Sequence, residues 1–138
     1  MKLNAAFIFL APNADYKKNR SVVQTEAVDL TTVGAKDYAD AVLAAKDLVA
    51  NGVNAIELCG GFGIEGVAQV KKAVGPEVGI LGVGTLMREL ALEDGQVVQK
   101  QKLPLSLTLD HQVIDGAPAA DFLARVIFYL EHPYALVL

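Results

Sequence analysis

The 138 residues suit one compact domain, and 53% hydrophobic with 20% charged residues supply a core and exclude wholesale disorder. A formal charge of −4 excludes a global field that would gather nucleic acid or anionic lipid. The single cysteine, Cys59, excludes an internal disulfide framework and a cysteine-rich metal site, and no metal centre is expected.

Leu3 to Leu10 is short and almost continuously apolar, which predicts a strand covered on both faces. The opening MKLNAAFIFLAPNA also has the outline of a signal peptide. Its apolar core, Ala5 to Ala11, is at the short limit, and an internal strand accounts for it equally well. No apolar run approaches the roughly 18 residues needed to cross a bilayer, so a soluble cytoplasmic protein with no membrane partner is expected. Lys17, Lys18 and Arg20 form the basic cluster, in a polar stretch that reads as a solvated loop. Val22 to Val33 holds one or two strands. From Lys36 to Asn51 the period becomes helical, with Tyr38, Ala41, Val42, Ala45, Leu48 and Val49 on one face and Gly52 placed to end the helix.

Val53 to Cys59 reads as a strand, with Cys59 a buried structural thiol by default. Gly63 to Val74 reads as a helix bounded by Gly75-Pro76, and Val78 to Val83 as the next strand. This alternation predicts right-handed crossovers and locally parallel pairing. Two extended runs around Glu93-Asp94-Gly95 then predict an antiparallel hairpin. Leu103, Leu105, Leu107 and Leu109 alternate with Pro104, Ser106, Thr108 and Asp110, a strand with one buried face. Pro118 opens a last helix with Ala119, Phe122, Leu123, Val126, Ile127 and Leu130 as its apolar stripe, stopping at His132 before Pro133. The expected fold class is α/β: a mixed sheet with a parallel βαβ N-terminal part, then a hairpin and a C-terminal helix.

Two stretches carry candidate chemistry. In GFGIEG, Gly61, Gly63 and Gly66 fit G-x-G-x-x-G between a strand and a helix, a turn able to offer backbone N–H groups to an anion. Glycines serving a tight strand-to-helix turn explain the same residues more simply, because a dinucleotide fold would be much longer. In LTLDHQVIDG, an apolar run delivers Asp110 and His111, followed by Asp115 and Gly116. On spacing alone, Asp115 favours the start of the last helix and His111 is exposed nearby. His132, at a helix end, is explained by a favourable terminal charge.

The segment from Gly79 to Leu138, GILGVGTLMRELALEDGQVVQKQ followed by LPLSLTLDHQVIDGAPAADFLARVIFYLEHP, resembles the end of the catalytic domain of dihydrolipoamide acyltransferases. These are the core enzymes of 2-oxo-acid dehydrogenase complexes and are similar in fold to chloramphenicol acetyltransferase. That family carries Asp-His-Arg, two residues, then Asp-Gly; Asp110, His111, Asp115 and Gly116 match, and Gln112 replaces the arginine. Residues 1–79, including AAFIFLAPNAD and VGAKDYADAVLAAKDLVANGVNAIELCGGFGIEGVAQVKKAVG, resemble a family of small uncharacterised bacterial proteins. The expectation is one compact α/β domain over 1–138, composite of 1–79 and 79–138, with the join near Val78 to Gly84. A natural fusion and a constructed chimera would each produce it.

The acyltransferase resemblance implies that His111 is the base for the attacking thiol, that Asp115 orders its loop, and that Asp110 and Gly116 shape it. A histidine near pKa 6.5 is suited to take the proton of a thiol near 8.5. The implied substrate is a coenzyme A thioester, with no covalently bound cofactor, and the implied assembly is a homo-oligomer, preferably a trimer. The family's oxyanion hydroxyl comes from a Gly-Thr-Phe-Thr-Ile-Ser-Asn-like segment that does not occur in these 138 residues. The expected protein is therefore acyltransferase-like and incomplete for catalysis. The alternative is a non-catalytic ligand-binding or structural module.

Overall fold

Continuous apolar character puts the first strand at the centre of a sheet. The computed structural model describes residues 2 to 109 and 115 to 136. Its strands are β1 (Leu3–Leu10), β2 (Arg20–Gln24), β3 (Val28–Ala35), β4 (Ala55–Leu58), β5 (Gly79–Val83), β6 (Met87–Glu93), β7 (Gln96–Lys102) and β8 (Leu105–Thr108). Its helices are α1 (Tyr38–Ala50), α2 (Gly63–Val74) and α3 (Gly116–Glu131). Six strands form one mixed sheet in the order β2-β3-β1-β4-β5-β8, while β6 and β7 pair apart from it. β3, β1, β4 and β5 run parallel; β2 and β8 close the two edges antiparallel. The α/β class and the order of elements are those the sequence predicts.

From β3 through α1 to β4, and from β4 through α2 to β5, the chain advances across the sheet in one direction. Crossovers of one hand that advance in one direction lay their helices on one face. Ala41, Ala44, Ala45 and Leu48 of α1 and Val70 of α2 accordingly share one core with Ala6, Ile8, Val33, Ile56, Leu58 and Ile80. α1 begins at an Asp37 N-cap, whose Oδ1 accepts from the Asp40 amide at 2.8 Å, while Asp40 accepts from the Lys36 amide at 3.2 Å. Lys71 anchors the far end of α2, donating to the Val78 carbonyl at 2.7 Å and the Pro76 carbonyl at 3.1 Å.

Among the described residues, the opposite sheet face receives no crossover helix. In each strand the alternate residues point there: Leu3, Ala5 and Phe7 of β1, Leu30 of β3, Ala55 and Glu57 of β4, Leu81 of β5. α3 reaches this side with Pro118, Ala119 and Phe122, yet it has no fully buried residue. It starts at Gly116, two residues before the Pro118 start that the sequence predicts. Pro118 is tolerated there because a first-turn amide needs no helical partner. Pro133–Leu136 adds one 3₁₀ turn.

The hairpin joins β6 to β7 through Asp94-Gly95, with φ of 51° and 79°. Positive φ at both turn residues matches the twist of a two-residue hairpin. Lys102 pairs with Glu89 at 2.5 Å and Lys100 with Glu93 across the ribbon. Leu90, Leu92 and Val97 share its other face and are 73%, 72% and 70% exposed, so the hairpin presents an unburied apolar surface.

Candidate functional site

The acyltransferase-like motif enters from the end of β8 and leaves into α3. Asp110 and His111 lie in 110–114, outside the described residues. On one side Leu109 lines a hollow against the open sheet face, and on the other Pro118 lines the same hollow. Asp115 is the N-cap of α3 and is exposed; its side chain makes no capping hydrogen bond, although its carbonyl accepts from the Ala119 amide at 3.3 Å. Gly116 is the first residue of the helix.

Of the hydroxyls nearest this motif in sequence, Thr85 is engaged elsewhere and Ser106 faces α2, while Thr108, paired with Ile80 in register, lines a hollow with Ala119, Ala120 and Leu123 of α3. Thr85 Oγ1 donates to the Gly60 carbonyl at 3.5 Å. Ser106 pairs with Gly82 in register, and a Cβ built on Gly82 would stand 2.6 Å from Ser106 Oγ and 2.9 Å from Val67 of α2. Ser106 thus sits on the α2 side of the sheet.

The GFGIEG turn is placed as predicted, between β4 and α2, but its glycines do three different things. The Gly61 carbonyl accepts from Tyr38 Oη at 3.4 Å. Gly63 has φ of 55°, a conformation costly for residues with a Cβ, and opens α2. Gly66 is buried beneath the stacked rings of Tyr38 and Phe62, whose centroids are 5.8 Å apart. Glu65 already complements the helix dipole in the first turn. A hollow of about 380 Å³ beside the turn is walled mainly by Ile64, Val67, Met87, Pro104 and Leu105.

The remaining polar candidates have structural partners. Lys18 pairs with Asp15 at 3.3 Å, Lys17 stands 5.7 Å from the Tyr16 ring, and Arg20 ties β2 to Asp47 of α1 at 2.8 Å. His132 caps α3, with Nδ1 3.0 Å from the Phe128 carbonyl and its ring stacked on Phe128. Cys59 is only partly buried, because it follows β4 at the rim of the core rather than lying inside it. Among the described residues no group of three or more His, Cys, Asp or Glu side chains could hold a metal ion. No helix of the described residues is long and apolar enough to cross a membrane.

Sequence reasoning missed a hollow of about 510 Å³ between the open sheet face and α3. Its polar side chain is Glu57. The available signal was the lone charge in the strand AIEL, on the face opposite Ile56 and Leu58.

Comparison with known proteins relates the chain to acyltransferase components. It is 44% identical over 79 residues to the dihydrolipoyllysine-residue acetyltransferase component of the acetoin cleaving system of Bacillus subtilis (strain 168), covering 57% of this chain and 19% of that protein. It is 35% identical over 101 residues to the corresponding component of the pyruvate dehydrogenase complex of Acholeplasma laidlawii, covering 68% of this chain and 19% of that protein. The chain thus spans about a fifth of the length of these relatives. Among solved structures, the cubic core of the pyruvate dehydrogenase multienzyme complex superposes with a TM-score of 0.48 at 26% identity, over 87% of this chain and 56% of that one. The dihydrolipoamide acetyltransferase of Azotobacter vinelandii gives 0.47, with the same identity and coverage. The model of a family of unknown function, DUF6506, matches residues 3–92, nearly two-thirds of the chain and past the Val78 to Gly84 segment into β6, and the chain belongs to that family.

Proposed function

We propose that this chain is an acyltransferase-like protein incomplete for catalysis: it keeps the base position of a thiol acyltransferase and turns over coenzyme A thioesters at most very weakly. The observation that carries the reading is the 44% identity over 79 residues to an acetyltransferase component. In this reading His111 takes the proton of an attacking thiol, the thiolate attacks the thioester carbonyl, and the departing coenzyme A sulfur receives a proton. Asp115 orders the loop from the N-terminus of α3, with Asp110 and Gly116 shaping it. What is lacking is a donor for the oxyanion. The family's hydroxyl segment does not occur in the sequence, Thr85 is engaged and Ser106 faces α2, and in this reading Thr108, beside Ala119 and Leu123 of α3, does not replace it. A base contributes on the order of 10² to 10⁴ in rate, and loss of one oxyanion donor removes about 10² to 10³.

The same reading makes the protein a cytoplasmic homo-oligomer, with a trimer preferred. The unburied apolar face of the hairpin at Leu90, Leu92 and Val97 supports it, since a lone two-stranded ribbon is marginally stable in water. Light scattering at micromolar concentration should give a multiple of 14.6 kDa, and a clean monomer would reject the assembly. Activity is tested with acetyl-coenzyme A and dihydrolipoamide, comparing the parent with His111→Ala. The parent should show barely measurable transfer and the variant none. Robust turnover in the parent would overturn incompleteness, and equal residual rates in both would remove His111 as the base.

A further inference from the structure

The hollow over the open sheet face has a definite origin in strand register. Ala5 of β1 stands opposite Ala55 of β4, and Ala55 opposite Gly79 of β5, so the floor is nearly without side chains. The next row on the same face is tall: Phe7, Glu57, Leu81 and Leu107 lie in register across β1, β4, β5 and β8. Leu3, Leu30 and, from α3, Phe122 also line the hollow. It is open to solvent, and its volume of about 510 Å³ lies within the range of small-molecule pockets. Glu57 is the charged group among these walls, and among the described residues no cation or hydrogen-bond donor meets its carboxylate.

We propose that this hollow binds a small molecule with an apolar body and an ammonium end, the body lying in the Ala5-Ala55-Gly79 trough and the ammonium group against Glu57. Charge complementarity selects this occupant. A fatty acid would bring a second carboxylate to Glu57. A second copy docked on this face would have to displace α3, whose Pro118, Ala119 and Phe122 already line it. The inference is independent of acyl transfer, which it neither uses nor supplies.

Three probes with one ten-carbon body test it: decylammonium, decanol and decanoate, titrated calorimetrically below their micelle concentrations. Solvent reaches Glu57, so decylammonium should bind about two- to fivefold more tightly than decanol, with decanoate weakest. Glu57→Gln should erase the difference between ammonium and alcohol. Gly79→Val should weaken all three by about tenfold or more by filling the floor. That variant should fold, because a Cβ at Gly79 meets only the Asn54 carbonyl, at 3.9 Å; an unchanged circular dichroism spectrum checks this, and Ala55→Leu offers a second filling of the same trough. Equal affinity for the three heads in the parent overturns the assignment to Glu57. Binding untouched by both filling variants overturns the site. Affinity that falls as protein concentration rises points to a second copy on this face and overturns the proposal.

Discussion

Gly66 shows how one missing methyl group sets the seat of a helix. A Cβ built there would stand 2.9 Å from Phe62 Cδ1 and 2.9 Å from Tyr38 Cε1. Those two rings are stacked, with 20° between their planes, and they join the start of α2 to the start of α1. Alanine favours a helix over glycine by about 1 kcal/mol, but overpacking a tight contact costs about 1 to 3 kcal/mol. The contact is with two restrained rings rather than the end of a flexible chain, so strain wins. Gly66→Ala should lower stability by about 1 kcal/mol, read as a shift in the urea midpoint with an unchanged slope. A stabilised variant would show that the rings move freely. The spacing G-x-G-x-x-G was legible from the sequence; that its last glycine serves helix packing needed Tyr38, 28 positions earlier, to be placed against it.

At the scale of elements, the hairpin β6–β7 stands apart: among the described residues it pairs with no other strand. Its turn demands positive φ at Asp94 and Gly95. A β-branched residue is strained in that conformation by about 1 to 2 kcal/mol. Gly95→Val should therefore open the ribbon without opening the six-stranded sheet. In native-state hydrogen exchange, the β6 and β7 amides should exchange about five to thirty times faster. Amides of β1 and β3 should be unchanged. Equal acceleration throughout would mean that the ribbon and the sheet open together. α3 poses a related problem. Phe122, Ile127, Phe128 and Leu130 are all exposed, and a helix apolar around most of its circumference calls for cover on more than one side.

For the whole molecule, β5 is the hinge of the architecture. One edge of it pairs with β4 and the other with β8, so the strand at the expected join belongs to both sides of it. Ile80 of the same strand is fully buried in the core under α1 and α2. Residues 1–79 cannot keep that core without β5, and among the described residues β8 has no other strand partner. Thermal unfolding should accordingly be a single transition, with calorimetric and van't Hoff enthalpies equal. Two separable transitions, or a stable folded fragment ending at Gly75, would divide the chain into independent modules.

Strand and helix identities were legible because they are local: the run Leu3 to Leu10, the 3.6-residue period from Tyr38 to Val49, Asp94-Gly95 between two extended runs, and alternation into Leu107. The motif around His111, Asp115 and Gly116 was legible for the same reason, as a short string of matching residues. Tertiary structure decided what required distant residues to meet. It set the order β2-β3-β1-β4-β5-β8, put both crossover helices on one face, and left the other face apolar and open. It also set Ala5, Ala55 and Gly79 in one row beside Glu57. No local period encodes that row, because its members lie 50 and 24 positions apart and only strand register brings them together.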